Sequence, residues 1–166
     1  MQRLEAFPPI VAPHAHTLIL GSMPGTDSLA AGQYYAHPRT QFWPLIERIL
    51  GICATAPYAD RTAALADRGY ALWDVLEACV RPGSLDADID LATAEVNDFA
   101  DFFATHSGIV RVFFNGKQAE KLFRRKAITI LPGERTLHLH GLPSTSPAYA
   151  SIPLERKLAA WRAILA

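Results

Sequence analysis

The 166-residue sequence has few cysteines, and this excludes several kinds of protein. Cys53 and Cys79 are the only two. Two thiols cannot build a four-thiolate iron–sulfur site, a cysteine-rich zinc site or a disulfide framework. Both lie in apolar stretches, so we expect them to be reduced side chains in the core.

The sequence also lacks an excess of either charge and any long apolar run. Its 16 basic and 16 acidic residues give a net charge of zero, which argues against a broad polyanion-binding surface and requires any nucleic-acid contact to be local. No uncharged apolar run reaches the roughly 18 residues of a membrane-spanning helix. The N-terminal apolar stretch is too short for a signal peptide. We therefore expect a cytoplasmic protein.

Half of the residues are hydrophobic, and the length suits one domain over residues 1–166. Strand-like apolar runs alternate with helix-length segments. The predicted strands are Thr17–Leu20, Tyr70–Trp73, Val110–Phe114 and the alternating Leu137–His140, which is typical of an edge strand. The predicted helices are Phe42–Leu50, Asn97–His106, Lys117–Lys126 and Leu154–Leu165. This alternation predicts an α/β fold in which helices cover both faces of parallel strands.

Each predicted strand ends in a polar or glycine-rich segment, and together these ends predict a binding site. The segments are GSMPG, Asp74, FNGK and LPSTSPA. The carboxyl ends of parallel strands lie on one edge of a sheet, where open α/β folds bind ligands. No G-x-G-x-x-G, Walker A or G-x-S-x-G pattern occurs, so dinucleotide, P-loop and serine-hydrolase sites lose their support.

The segment Gly32–Leu45 carries side chains that suit a flat base and a phosphate. It places Tyr34 and Tyr35 beside His37 and Arg39. An exposed aromatic ring next to a cation can stack on a flat base and contact the backbone. The alternative is that both tyrosines cap the core.

Hydroxyl and basic groups later in the chain suit phosphate contacts. Ser144, Thr145 and Ser146 follow one another between two prolines, and such hydroxyls can donate to phosphate oxygens. The alternative is a turn that caps a following helix. Five of the 16 basic residues lie within residues 117–126, beginning with Lys117. This cluster is either a solvated helix face or a local phosphate-facing patch to which Lys117 belongs.

Two His-x-His pairs raise the question of a metal site. They are His14 with His16 and His138 with His140. On a strand, the second pair would point to one face, as metal ligands do. No cysteine or acidic partner motif accompanies it, so we expect no metal site.

Five segments in the same order resemble the uracil-DNA glycosylase superfamily. They are GSMPG, GQYYAHPRTQFW, GYALWDVLEACVRPGSLD, FFNGKQAEKLF and LPSTSPAYA. Among its branches, the sequence is most similar to the hypoxanthine-DNA glycosylases, followed by the mismatch-specific thymine/uracil glycosylases. The resemblance covers Leu18 to Trp161. It implies a four-stranded parallel sheet and an enzyme that flips a deaminated nucleotide out of damaged DNA and hydrolyses its N-glycosidic bond. It implies no cofactor, and we expect a monomer.

The resemblance also implies roles for residues around the base. Tyr35 matches the aromatic residue that stacks on the flipped base. Gly21, Ser22 and Met23 form the floor beside the first strand. Asp74 stands where uracil-directed relatives read the base edge with asparagine. A carboxylate there accepts a hydrogen bond from the ring N–H of hypoxanthine, and when ionised it cannot donate to the carbonyl.

Further residues are implied to hold the DNA backbone. Ser144, Thr145 and Ser146 match the loop that pinches the phosphates. Pro147 and Tyr149 lie in the stretch from which a wedge enters the vacated base stack.

Two positions depart from the family pattern. Met23 stands where relatives have the Asp or Asn that holds the catalytic water. Thr40 stands where the hypoxanthine branch has its proposed catalytic Asn, and a threonine hydroxyl can hold water but offers no amide carbonyl. We take Thr40, Ser22 and Met23 as the catalytic positions. The other candidates for assisting the water are His37, Asp27 and Asp74.

Three hypotheses follow. The first is a monofunctional DNA glycosylase of base excision repair that removes hypoxanthine first, with uracil or xanthine as further substrates. The second is a catalytically impaired damage-binding module on the same fold. The third is an unrelated flavodoxin-like protein that binds a small phosphorylated ligand at the same sheet edge.

Overall fold

A computed structural model describes residues 1–131, 133 and 135–166. The strands are β1 (Arg3–Glu5), β2 (Thr17–Gly21), β3 (Tyr70–Asp74), β4 (Leu76–Val80), β5 (Glu95–Val96), β6 (Arg111–Asn115) and β7 (His138–Leu142). The α-helices are α1 (Thr26–Ala31), α2 (Phe42–Leu50), α3 (Tyr58–Asp67), α4 (Phe99–Thr105), α5 (Lys117–Leu122) and α6 (Leu154–Trp161). None of the described helices is long and apolar enough to span a bilayer.

The central sheet has four parallel strands in the order β3-β2-β6-β7. Every residue of β2 and β3 is buried, as their continuous apolar runs predict. In β7, at the edge, His138 and His140 are exposed, which agrees with its alternating pattern. The predicted parallel sheet and the edge position of its last strand are confirmed.

Side chains of one strand alternate between two apolar layers, so both faces of the sheet are covered. Leu18 and Leu20 of β2 belong to a cluster that includes Phe99 of α4. Ile19, between them, belongs to the cluster on the other face with Phe42 of α2. This is the period of two that a strand imposes on its side chains. The predicted α/β fold with helices on both faces is confirmed.

Two predicted helices begin or end where local capping residues place their boundaries. Helix α2 ends at Leu50 as expected, because Gly51 adopts a left-handed conformation with φ of 71°. Helix α4 begins at Phe99, two residues later than predicted. The Asp98 side chain accepts a hydrogen bond from the Asp101 N–H and caps the helix there.

The other two predicted helices begin correctly and end early as α-helix. Helix α5 continues as a π-helical turn over Phe123–Ala127, and α6 continues as a 3₁₀ turn over Arg162–Leu165. The apolar pattern shows which residues face the core. It does not show to which preceding carbonyl each backbone N–H donates, and this is what distinguishes 3₁₀, α and π helices. Periodicity therefore predicts the path of these segments better than their helix type.

A second sheet, antiparallel and ordered β1-β4-β5, was not predicted, and neither were α1 and α3. Its strands are short, and β4 follows β3 after the single residue Val75. Val75 N–H donates to the Gly21 carbonyl at 2.8 Å, and Leu76 N–H donates to the Ser22 carbonyl at 3.1 Å. The chain that leaves β3 is therefore held against the segment that leaves β2.

The two cysteines have different environments. Cys79 of β4 is buried, as expected. Cys53 is exposed, so its assignment to the core is wrong. It lies in the surface loop that follows α2, where Ile52 is the residue that turns inward.

Candidate active site

A cavity of about 230 Å³ opens at the carboxyl edge of the central sheet. It is lined by residues 21–28, 34, 35, 37, 40, 74, 84–87, 115 and 144–149. The sheet register explains this convergence, because it pairs Gly21 with Asp74 and Asn115 with Leu142 at the ends of neighbouring strands. Four strand exits thus contribute to one cavity.

Eleven of the twelve site residues proposed from the sequence line this cavity. The exception is Lys117, which is exposed at the start of α5. The structure brings the other proposed residues together, and their individual roles stay predictions.

The floor of the cavity is formed by Gly21, Asp74 and Tyr35. A Cβ atom added to Gly21 would lie 2.5 Å from Oδ1 of Asp74 and 3.4 Å from the Tyr35 hydroxyl. Only glycine leaves room for both groups at this position. Oδ2 of Asp74 and the Tyr35 hydroxyl are buried and have no hydrogen-bond partner among the described residues. Two such groups in one cavity indicate a polar ligand, since buried polar atoms are normally paired.

Asp74 is only 4% exposed, and its surroundings oppose ionisation. Burial and, to a smaller extent, the nearby Asp86 raise the pKa of Asp74 to about 7, against the opposing effect of Arg81. The Asp74 carboxyl is therefore partly protonated near neutral pH. In that form it offers one donor and one acceptor, whereas the ionised form only accepts.

Tyr35 is held in an unusual backbone conformation. Its φ of 56° is left-handed, which costs a non-glycine residue energy and is most often found at functional sites. Its ring stacks on Phe42 with centroids 3.8 Å apart and planes 18° from parallel. Burial, and then Asp74, raise the pKa of the Tyr35 hydroxyl. The nearby Asn115 amide opposes this shift, but it forms no hydrogen bond with the hydroxyl. Because the pKa is raised, the Tyr35 hydroxyl is neutral and can donate a hydrogen bond.

The neighbouring Tyr34 has a different environment. It is 4% exposed, and its hydroxyl donates to the Pro8 carbonyl at 2.9 Å. Of the two readings of this tyrosine pair, core packing applies to Tyr34, while Tyr35 lines the cavity.

The wall beside the floor contains a carboxylate that the sequence reasoning missed. Ser22 Oγ donates to Oδ1 of Asp86 at 2.6 Å. Arg81, only 3% exposed, donates to the carbonyls of Pro24 and Gly83 at 2.7 Å each. Burial raises the pKa of Asp86, whereas the Ser22 hydrogen bond and the Arg81 charge oppose the rise. Arg81 thus joins the segment after β2 to the turn that carries Asp86.

Three further candidates for assisting the water, His37, Asp27 and Thr40, also line the cavity. Nε2 of His37 lies 3.5 Å from Oδ2 of Asp27, and Nδ1 accepts from the Arg39 N–H at 3.0 Å. Thr40 Oγ1 accepts from the N–H of Phe42 at 3.4 Å, near the start of α2. The Thr40 hydroxyl keeps its proton free to donate into the cavity.

The loop after β7 presents its hydroxyls in two directions. Thr145 is 1% exposed and is locked to Asn115: its N–H donates to Asn115 Oδ1 at 2.9 Å, and Asn115 Nδ2 donates to its Oγ1 at 2.8 Å. Ser144 and Ser146 accept hydrogen bonds from backbone N–H groups and keep their own protons free. The hydroxyls of Ser144 and Ser146 are therefore the ones in this loop that can donate to a ligand.

Tyr149 stands at the rim of the cavity, and a buried lysine fixes its backbone. Its side chain is 48% exposed. Lys157 of α6 is fully buried and donates to the Tyr149 carbonyl at 2.8 Å and to Gln41 Oε1 at 2.5 Å. The Gln41 N–H in turn donates to the Thr145 carbonyl at 3.0 Å. The rim loop is thereby connected to the segment that carries Thr40.

The basic cluster and the histidine pairs lie away from this cavity. None of the basic residues in 117–126 lines it, Arg124 pairs with Glu120, and Lys126 donates to the carbonyls of Leu91 and Ala94. Within the described residues, no three His, Cys, Asp or Glu side chains form a group suited to a metal ion.

Asp86 and Asn115 are the main site residues that sequence reasoning missed. Asn115 was within reach, because it ends a predicted strand next to a glycine. Asp86 gave a weaker signal, a Gly-Ser-Leu-Asp turn whose position depends on the unpredicted strand β4.

Comparison with known proteins gives consistent matches. Residues 8–165 match the uracil DNA glycosylase superfamily. Two relatives named hypoxanthine DNA glycosylase come from Methanosarcina barkeri and Methanosarcina acetivorans. They are 36% and 32% identical over 116 residues, which is 69% of this chain and 72% of each relative. A solution NMR structure of a candidate uracil DNA glycosylase from Methanosarcina acetivorans superposes with a TM-score of 0.77 at 27% identity, covering 99% of this chain and 100% of that one.

Proposed function

The chain belongs to the uracil-DNA glycosylase superfamily and is a DNA glycosylase that acts on deaminated bases, and we propose that it removes hypoxanthine in preference to other bases. Two relatives that carry the name hypoxanthine DNA glycosylase support this substrate. The observation that carries the proposal is the buried floor of the cavity, where Asp74 and Tyr35 present unpartnered polar atoms.

The edge of hypoxanthine fits the Asp74 carboxyl. Hypoxanthine carries a proton on N1 and a carbonyl at C6, whereas adenine has no proton on N1. Asp74 accepts from the N1–H in either protonation state, and its protonated form also donates to the C6 carbonyl. Because both hydrogen bonds form in a buried site, a base that lacks the N1 proton leaves a polar group unpaired and binds less well.

The remaining cavity residues are assigned to the flipped nucleotide and its backbone. Tyr35, supported by Phe42, stacks on the flipped base. Ser144 and Ser146 donate to the flanking phosphates, and Tyr149 fills the vacated place in the base stack. Flipping costs least at a mispaired base, so the instability of the lesion adds to selectivity.

We also propose that the enzyme works as a monomer in the cytoplasm. Eleven of the twelve proposed site residues of a single chain lie around one cavity, which supports a monomer. Both cysteines are free thiols, which suits a reducing compartment.

A base-release assay tests the substrate. Duplexes with one deoxyinosine, deoxyuridine or deoxyxanthosine are incubated with the protein and then treated with hot alkali, which breaks the strand at an abasic site. We expect breakage fastest at deoxyinosine, none at the matched deoxyadenosine duplex, and none in any duplex before alkali. Faster release of uracil than of hypoxanthine would refute the preference.

A second candidate, a damage-binding module without catalysis, is favoured by the side chains at two positions. Met23 offers the cavity an apolar side chain, and Thr40 offers one hydroxyl. This candidate predicts tight binding to the deoxyinosine duplex without base release, and a gain of base release in Thr40→Asn. A folded protein that binds the lesion and leaves it intact would establish it in place of the enzyme.

A further inference from the structure

Hydrolysis of an N-glycosidic bond needs a group that binds the attacking water and accepts its proton. Carboxylates do this in glycoside hydrolysis. Three line the cavity: Asp27, Asp74 and Asp86.

Two of the three are poorly suited to this step. Asp27 has a side chain that is 54% exposed and lies beside His37 on the open side of the cavity. Asp74 is at the buried floor, where the base edge is expected to lie and to occupy its carboxyl.

Two neighbours of Asp86 favour its ionised form against the effect of burial. Its Oδ1 accepts the hydrogen bond from Ser22 at 2.6 Å, and the buried guanidinium of Arg81 lies close enough to favour its charge. Arg81 contributes one positive charge and Asp86 one negative charge, so Asp74 can remain neutral beside them. Environments that separate two neighbouring carboxyls in this way separate their roles as acid and base.

We propose that Asp86 is the carboxylate that binds the attacking water and accepts its proton, and that Ser22 and Arg81 are the positioning residues that hold it. The assignment rests on the proposed function of the cavity. It gives the reaction a general base that neither Met23 nor Thr40 supplies.

The step balances without any further reactant. The water oxygen forms a bond to C1′ of the sugar while the bond from C1′ to N9 of hypoxanthine breaks, and that electron pair leaves with the base. One water proton passes to Asp86. The departing base is stabilised by the hydrogen bond from Asp74 and takes up a proton from solvent, to which Asp86 returns the proton it accepted. The negative charge of Asp86 also stabilises the oxocarbenium-like sugar before the proton is transferred.

The test compares Asp86→Asn with Asp88→Asn. Both residues belong to the 3₁₀ turn Asp86–Asp88, but Asp88 is exposed and does not line the cavity. Base release from the deoxyinosine duplex is measured in single turnover with enzyme in excess, and binding is measured on the same duplex carrying an uncleavable 2′-fluoro deoxyinosine. Asp86→Asn should lower the rate constant by about 10²–10⁴-fold and leave the Kd within about threefold. Asp88→Asn should change neither.

Ser22→Ala tests whether Ser22 acts through the charge of Asp86. A purely structural role would leave the pH dependence of the rate unchanged. The substitution keeps the carboxylate and removes a hydrogen bond that holds the pKa of Asp86 down. The rate should fall about tenfold, and the acidic limb of the pH–rate profile should move to higher pH. The other charged groups facing this carboxylate, Asp74 and Arg81, are unchanged in this variant.

Three outcomes overturn the assignment. One is an Asp86→Asn rate within threefold of the active wild type. Another is a loss of binding or of Tm in Asp86→Asn that matches its loss of rate. The third is an unmoved acidic limb in Ser22→Ala. A wild-type protein that releases no base from any duplex is a different result, because it refutes the proposed function and the assignment together.

Discussion

Replacing Asp74 with Asn should stabilise the protein, and the gain should grow as the pH rises. A carboxyl whose folded-state pKa lies above its unfolded value binds its proton more tightly in the folded state. Its favourable contribution to stability is complete below the unfolded pKa and is lost as the pH rises through the folded one. For Asp74 this window runs from 3.8 to about 7. Asn at this position fills the same space and does not titrate.

The structure sets the size of the effect. Each pKa unit corresponds to about 1.4 kcal/mol of free energy. The rise from 3.8 to about 7 therefore makes the ionised Asp74 carboxyl cost the fold about 4 kcal/mol. About half of this, roughly 2 kcal/mol, arises between pH values of about 5.5 and 8.5.

Urea unfolding followed by tryptophan fluorescence measures the difference directly. Wild type and Asp74→Asn are compared at the two ends of that pH range, with Asp88→Asn as a control at an exposed aspartate. We expect the stability advantage of Asp74→Asn to increase by about 2 kcal/mol toward alkaline pH and the control to show no trend. An advantage that is equal at both pH values, or a loss of stability in Asp74→Asn, would refute the protonated state of this carboxyl.

Three further substitutions test the floor and the rim of the cavity. Gly21→Ala places a methyl group 2.5 Å from Oδ1 of Asp74 and should lower the rate of single-turnover base release about 100-fold. Gly25→Ala is the control and should leave this rate unchanged, because its added Cβ meets nothing closer than 3.6 Å. Tyr35→Phe removes a hydroxyl that has no partner among the described residues, so the free energy of unfolding in urea should change by less than about 0.5 kcal/mol while base release falls. Tyr34→Phe removes a paired hydroxyl and should lower the free energy of unfolding by about 1 kcal/mol. Tyr149→Ala should slow release from duplex DNA about tenfold and leave single-stranded substrate unaffected, because only the duplex has a stack to fill.

The floor of the cavity could be predicted from the sequence because it depends on local signals. A continuous apolar run followed by glycine or aspartate marks the end of a buried strand, and parallel strands bring their carboxyl ends to one edge. Gly21 and Asp74 both carry this signal, and the register places them opposite each other. What could not be predicted is the protonation of Asp74, which depends on burial by segments distant in the chain.

The wall that carries Asp86 could not be predicted, because it depends on contacts between distant parts of the chain. Asp86 and its partner Ser22 are 64 residues apart, and they meet because the antiparallel strand β4 returns the chain to the sheet edge. The orientation of Thr145 could not be predicted either. Its sequence neighbours are hydroxyl residues like itself, yet its own hydroxyl is paired with Asn115, and no local pattern shows which of the three faces inward.

The charges of the cavity resolve how a protein with no net charge can act on DNA. A flipped deoxyinosine has an uncharged base and a negatively charged phosphate on each side. Arg81 offsets the charge of Asp86 and Asp74 is partly protonated, so the interior carries little net charge and suits the uncharged base better than a phosphate. The phosphates then remain at the rim, where Ser144 and Ser146 offer free hydroxyl protons. The proposed arrangement places the uncharged base in a nearly neutral interior and the phosphates at a hydrogen-bonding rim, and it needs no positively charged surface.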